Sequence, residues 1–346
     1  MFLPSSPNSI CAYSKTPAAT IWPGPWQKGR LQLAYVRTEY PQWSWSHSRQ
    51  QIFASCLRRY YYNYYASHNG WERDAPAEAA LAYRLKQLGS IYTALGDGVH
   101  RAAQSLVHRV KAGRELASAE VVEEEIRRHL RRVWRSSQQN REEFLLRPKR
   151  VDMLREFYYG TGVSEAVLDS INQRLGQVAR ALVASSVWRE LAQPGAQVVS
   201  CEQFDTITIA GTPVFAVPDL IYAQPGGDWV VVDWKSGEEA EEYRDQVALY
   251  VLFVREKYAV AVERITARLE YLNGPSTVEM RFTPQDLQAV ERQAAASMEE
   301  MKGFLTDPER NIPQPKERFA LTEAREQCPW CNFYELCRDE LEQSVS

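Results

Sequence analysis

The period of the apolar positions changes along this chain and divides it into four segments. Residues 1–45 carry Pro, Ser and Trp without a sustained period, which predicts an irregular N-terminal arm over residues 1–47. From Ser48 the pattern turns helical. The stretch from Ala77 to Leu191 predicts several long helices, with Glu123/Arg127 and Glu124/Arg128 spaced at i,i+4. Near Gln197 the character switches to Val, Ile, Phe and Thr. Val198–Ile209, Thr212–Ala223 and Trp229–Trp234 read as three consecutive strands, separated by Ala210-Gly211 and by the turn Pro225-Gly226-Gly227-Asp228. A helix over Glu239–Tyr258, strands over Arg264–Leu272 and Val278–Phe282, and a helix over Pro284–Leu305 capped by Thr283 follow. The expected organisation is an arm (1–47), a helical region (48–195), an α/β core with a mixed sheet flanked by helices (196–310), and a C-terminal segment (311–346) holding three cysteines. No internal repeat or low-complexity tract is visible.

Composition narrows the class. A chain of 346 residues, 45% hydrophobic and 25% charged, can bury a large core as one elaborated domain or two small ones. The net charge of -3 argues against a general nucleic-acid coat, so local charge matters more. Between Arg101 and Arg150 there are 13 Lys/Arg against 7 Glu, which makes a basic surface there feasible. The opening Met1-Phe2-Leu3-Pro4 lacks the pattern of a secretory signal, and no run has the ~18 apolar residues of a membrane helix, so a cytoplasmic protein is expected. In that reducing compartment the cysteines at 11, 56, 201, 328, 331 and 337 read as thiols or metal ligands before disulfides.

The candidate chemistry lies among the predicted strands. Asp219 closes one strand, and Asp233-Trp234-Lys235 closes the next; bringing the two ends together requires an offset register or a bulge. Two carboxylates offer hard oxygen ligands to Mg²⁺ or Mn²⁺, which can polarise a phosphodiester. Alternation puts Asp233 and Lys235 on one face, with Trp234 facing away and its carbonyl available to a metal. The alternative is an ordinary ion pair at strand ends. Against it stands Val230-Val231-Val232, a run typical of a buried strand, at whose end charges are costly unless paired or ligated. Gln246 and Tyr250 share a face of the next helix and can address Lys235 or a phosphate. Glu202 reads as a solvent-facing strand glutamate, with a place near the site as the alternative.

In order along the chain, Gly96-Asp97-Gly98-Val99-His100, Pro218-Asp219, Asp233-Trp234-Lys235 and Gln246-Val247-Ala248-Leu249-Tyr250 resemble the motifs of RecB-family nucleases of the PD-(D/E)XK superfamily. Ser48–Gln51 through Cys56-Leu57-Arg58-Arg59-Tyr60-Tyr61 is similar to that family's opening helix, so the resemblance spans roughly residues 48–340. It implies a restriction-endonuclease-like α/β fold with a helical insertion. It also implies a metal site of His100, Asp219, Asp233 and the Trp234 carbonyl, with Lys235 orienting or activating the attacking water and Gln246 and Tyr250 positioning Lys235 or phosphate. Gln104 stands where many relatives have a glutamate, and Ala216 where a glycine is frequent.

Cys328-Pro329-Trp330-Cys331 with Cys337 forms C-x2-C-x5-C, a metal-binding spacing that leaves zinc and an iron-sulfur cluster equally open. Cys56 lies 272 residues before Cys328, where the cluster-bearing RecB-like enzymes place their first cysteine. The resemblance therefore implies a [4Fe-4S] cluster on Cys56, Cys328, Cys331 and Cys337. Cys11 and Cys201 are left as a loose thiol and a buried strand residue.

For DNA contacts, Arg127, Arg128, Arg131, Arg132 and Arg135 form a basic helix face, and five tyrosines lie between Tyr60 and Tyr65, a combination suited to single-stranded DNA. The alternative is a solvated face paired with Glu123–Glu125 and tyrosines that pack. The expected function is metal-dependent hydrolysis of DNA, at ends or in single strands, in repair or in defence against foreign DNA. A non-catalytic DNA-binding scaffold subunit is the runner-up, and a zinc-bearing interaction protein the third reading. No G-x-x-x-x-G-K-[ST] motif is present, so unwinding would fall to a partner helicase.

Overall fold

Val230-Val231-Val232 has no polar position to give to solvent, and in the computed structural model it lies in the middle strand of a five-stranded sheet, 3%, 0% and 0% exposed. The structure describes residues 37–343 apart from 238, 239, 241 and 275, so Cys11 and the predicted arm up to residue 36 lie outside the described residues. From Tyr40 onward the chain is one compact unit.

The sheet consists of β1 (Gln197–Cys201), β2 (Leu220–Ala223), β3 (Trp229–Lys235), β4 (Ile265–Tyr271) and β5 (Ser276–Met280), in that spatial order. β3 and β4 pair in parallel, whereas β1–β2, β2–β3 and β4–β5 pair antiparallel, which makes the sheet mixed. Before it come α1 (His47–Ser55), α2 (Leu57–Tyr61), α3 (Ile91–Lys111), α4 (Ala119–Gln139) and α5 (Glu165–Ala184). The parallel β3–β4 pair needs a crossover, and α6 (Glu242–Tyr258) makes it. Every residue from Val247 to Val254 on α6 is buried, so the middle of this helix lies inside the protein while Arg244, Asp245, Glu256 and Lys257 toward its ends reach solvent. α7 (Pro284–Lys302) starts where the sequence predicts: Thr283 and Asp286 form a capping box, with Pro284 in the first turn. α8 (Tyr334–Gln343) closes the described chain.

The two faces of the sheet bury different helices. Val231 and Ala267 pack with α6 and α7, whereas Val230, Val232 and Trp234 pack with α3, α4 and α5. Gly98 explains how α3 and α4 approach: a Cβ there would sit 3.1 Å from Ile126 Cγ2 and 3.3 Å from His129 Cδ2. A third cluster joins Tyr62, Leu85, Phe144 and Tyr158 of the helical region to Phe333 and Cys337 near the C-terminus.

Two expectations are corrected. The predicted strands Val198–Ile209 and Thr212–Ala223 are each broken, their ends far from the Ala210-Gly211 turn entering the sheet as β1 and β2 while Asp205–Ile209 and Thr212–Ala216 form a separate hairpin. That hairpin pairs with Trp45–Ser46, so the last residues of the predicted arm belong to the body.

Candidate active site

The break in the ribbon builds one half of the site. Cys201 pairs with Leu220 in the sheet and Asp205 with Ala216 in the hairpin, so the register is continuous across the bend and sets Glu202 opposite Asp219. The Glu202 peptide N–H donates to the Asp219 carbonyl at 3.1 Å, and Glu202 takes the left-handed conformation with φ 51°, unusual for a residue with a Cβ. Asp219 immediately precedes β2. Because β2 runs antiparallel to β3 and Leu220 pairs with Val232, Asp219 falls opposite Asp233 without the offset or bulge that the sequence seemed to require. The Trp234 N–H donates to Asp219 Oδ2 at 2.7 Å and fixes the carboxylate against the end of β3.

His100 reaches this point from the middle of α3. Its Nδ1 lies 2.9 Å from Glu202 Oε1 and 3.2 Å from Asp219 Oδ1. One potential ligand atom from each of the three lies within 4.8 Å of the others, the only such group of His, Cys, Asp and Glu among the described residues. Glu202 is thus at the site and not a solvent-facing strand residue. No periodicity could have shown this, because a left-handed bend at a glutamate has no sequence signature. A groove of about 460 Å³ opens here, lined by Asp97, His100, Arg101, Gln104 and Glu202. Burial disfavours the His100 cation, but the hydrogen bonds and charges of Asp219 and Glu202 outweigh it and hold the imidazole up at about 11.

Asp233 is 2% exposed. Burial, and then the charge of Asp219, push its carboxyl well above the ordinary carboxylate range against the opposing pull of Lys235. Lys235 Nζ lies 2.7 Å from Asp233 Oδ2, yet that oxygen has no aligned hydrogen-bond partner. The contact is an ion pair that leaves acceptor capacity unused. The structure brings Asp219 and His100 together with Glu202, while Asp233 lies opposite Asp219 on the Lys235 side; hard carboxylates beside an imidazole are a donor set that suits Mg²⁺ or Mn²⁺. The Trp234 side chain does face away: its ring stacks on Trp188 at 5.8 Å, and its Nε1 donates to Glu270 at 3.3 Å.

Lys235 Nζ donates to Gln246 Oε1 at 2.8 Å, and Gln246 Nε2 donates to the Tyr250 hydroxyl at 2.8 Å, so the i,i+4 pair of α6 forms one chain with the lysine. Sequence reasoning missed Tyr243, whose ring lies 4.4 Å from Lys235 Nζ. The signal was present, since Tyr243, Gln246 and Tyr250 share a helix face at i, i+3 and i+7. An aromatic face under an ammonium holds it by cation–π attraction. Tyr243→Leu is expected to lower kcat about tenfold with KM unchanged, while Tyr243→Phe, which keeps the ring, stays near wild type. Steady-state kinetics on both variants, with melting curves to check folding, decide the point. Equal rates for all three proteins would remove Tyr243 from the site.

Cys56, Cys328, Cys331 and Cys337 line one cavity of about 510 Å³, although no three of their sulfurs come within 4.8 Å of one another. Burial, and then the neighbouring Cys331, push the Cys337 thiol up to about 12. The two chain regions are tied by Arg58, whose backbone N–H donates to Ala320 O at 3.0 Å, whose Nε donates to Phe319 O at 2.8 Å, and whose Nη1 meets Glu340 Oε1 at 2.5 Å. Cys201 is half-buried on β1.

The arginines of α4 have nearby partners. Arg127 meets Glu123 at 2.7 Å, Arg131 meets Glu124 at 3.1 Å and Arg132 lies 3.7 Å from Asp152, whereas Arg128 and Arg135 are exposed. Tyr60, Tyr62 and Tyr65 are buried, with Tyr60 and Tyr65 packed around the buried Arg49, so these three are packing residues and not an open platform.

No helix among the described residues is long and apolar enough to cross a membrane. No curated protein matches the chain. A family model described as the PD-(D/E)XK nuclease superfamily matches residues 44–338, a span that contains Pro218-Asp219, Asp233-Trp234-Lys235 and the whole mixed sheet with its flanking helices. The architecture is that of the restriction-endonuclease-like fold, and the chain belongs to the PD-(D/E)XK nuclease superfamily.

Proposed function

We propose that this chain is a divalent-metal-dependent deoxyribonuclease of the RecB-like type, which hydrolyses phosphodiester bonds at DNA ends or in single strands during repair or defence against foreign DNA. The observation that carries the reading is the pair of register-opposed aspartates, Asp219 and Asp233, with the Lys235 ammonium 2.7 Å from the second. His100, Asp219, Asp233 and the Trp234 carbonyl would hold Mg²⁺ or Mn²⁺. The ion supplies Lewis acidity to the phosphodiester. Lys235 donates one N–H to Gln246 and pairs by charge with Asp233, which leaves donor capacity for a phosphate oxygen or the attacking water. Hydrolysis joins the water oxygen to phosphorus and breaks the ester P–O bond, and the departing oxygen takes a proton. The α4 face is a secondary contact for the DNA backbone, with Arg128, Arg131, Arg132 and Arg135 its exposed members. Unwinding would require a partner helicase.

The same proposal includes a [4Fe-4S] cluster on Cys56, Cys328, Cys331 and Cys337. What supports the proposal is that Cys56 and the three cysteines that follow it by 272 residues or more line one cavity of about 510 Å³.

The test is digestion of end-labelled single- and double-stranded DNA by protein purified anaerobically, with Mg²⁺, with Mn²⁺ and with a chelator. Shortened products that appear only with metal are expected. DNA left intact under all conditions would favour a non-catalytic DNA-binding subunit.

A further inference from the structure

We infer that Glu202 is a ligand of the divalent cation, completing the site from the bend of the ribbon. The inference rests on the metal-dependent reading above and adds a residue to it. Geometry supplies the first argument. Glu202 is held opposite Asp219 by its own peptide N–H, in a left-handed conformation that costs energy for any residue with a side chain. That conformation is kept where it aims a carboxylate at His100 and Asp219, and the three potential ligand atoms lie within 4.8 Å.

Charge supplies the second. His100 can ligate only as the neutral imidazole, so the ion takes the place of the proton that Asp219 and Glu202 favour there. Asp219, Asp233 and Glu202 then stand against the single ammonium of Lys235, which leaves two negative charges. One divalent ion neutralises that remainder; without Glu202 the same ion would be in excess. Asp233 Oδ2, buried and met by the Lys235 ammonium at 2.7 Å, carries the acidic group on toward β3. Gln104 lines the same groove but brings only a neutral amide, so Glu202 is the sole carboxylate there other than Asp97.

The experiment is a Mn²⁺ titration of the full-length protein, read by the electron paramagnetic resonance of free Mn²⁺ without DNA. Glu202→Gln should weaken Mn²⁺ binding tenfold or more, on the order of the loss seen for groups that support a metal. Should Glu202→Gln fail to fold, Glu202→Asn serves, because asparagine tolerates the left-handed conformation better than most residues while lacking the charge. Wild-type affinity in a folded variant would overturn the inference and leave the nuclease reading intact. No Mn²⁺ binding by the wild-type protein would remove the metal reading and this inference with it.

Discussion

Asp233→Asn is expected to abolish DNA cleavage while melting at least as high as the wild-type protein in the absence of metal. The loss should reach about a hundredfold to a thousandfold, the scale for removing a preorganised charged group from a reacting centre. The stability half follows from the sign of the linkage. Burial and the Asp219 charge raise the Asp233 carboxyl above its unfolded value, so its ionised form opposes folding at neutral pH, and this cost is absent under acid conditions where the group is protonated. Asparagine removes the cost at every pH. Lys235→Ala should lose cleavage to the same degree but behave oppositely in stability, since it leaves a carboxylate that is 2% exposed without its cation. Undiminished cleavage by either purified variant would end the catalytic assignment, and a large drop in the melting temperature of Asp233→Asn would contradict the electrostatic account.

Cys56→Ser is expected to bleach the visible absorption of the anaerobically purified protein and lower its melting temperature by about 7 °C. The size follows from releasing a cross-link that closes 272 residues, worth on the order of 5 kcal/mol by chain entropy, in a protein of this length. Cys11→Ser should do neither. Absorption spectra, iron and zinc analysis and melting curves check the prediction together. A colourless protein carrying zinc would sink the iron-sulfur assignment without touching the nuclease site, because the thiol cavity and the Asp219/Asp233/Lys235 group share no residue.

What could be read before the structure was whatever local period or motif spacing encodes. Val230–Val232 announced a buried strand, Asp233 and Lys235 shared a face by alternation, and Thr283 with Pro284 marked the start of α7. The residues that depend on contacts between distant segments escaped. Glu202 lies in a stretch rich in strand-forming residues, and only the left-handed turn at that residue, set against Asp219 and His100, breaks the strand and brings the carboxylate inward. The tyrosines from Tyr60 to Tyr65 look like a stacking surface because sequence records their kind and not their neighbours; Arg49, Phe319 and Phe333 bury most of them. The arginines of α4 were legible as a face, and one of the two acidic pairs expected by spacing forms, Glu123 with Arg127, while Glu124 turns to Arg131.

The tie between α2 and the C-terminal segment sets an order of events during synthesis. Cys56 and Arg58 leave the ribosome at least 261 residues before the cysteines and carbonyls that surround them in the finished protein. At ~5–20 residues per second that interval is roughly 15 to 50 s. Through it the thiol has no company and the guanidinium lacks the Phe319 and Ala320 carbonyls that receive its neighbourhood's hydrogen bonds. The helical region therefore waits, incompletely packed, for the last part of the chain. Whatever the thiol cavity takes up can be bound by all four cysteines only after the last part of the chain is made, so until then the nuclease sheet is translated but the two ends have not met.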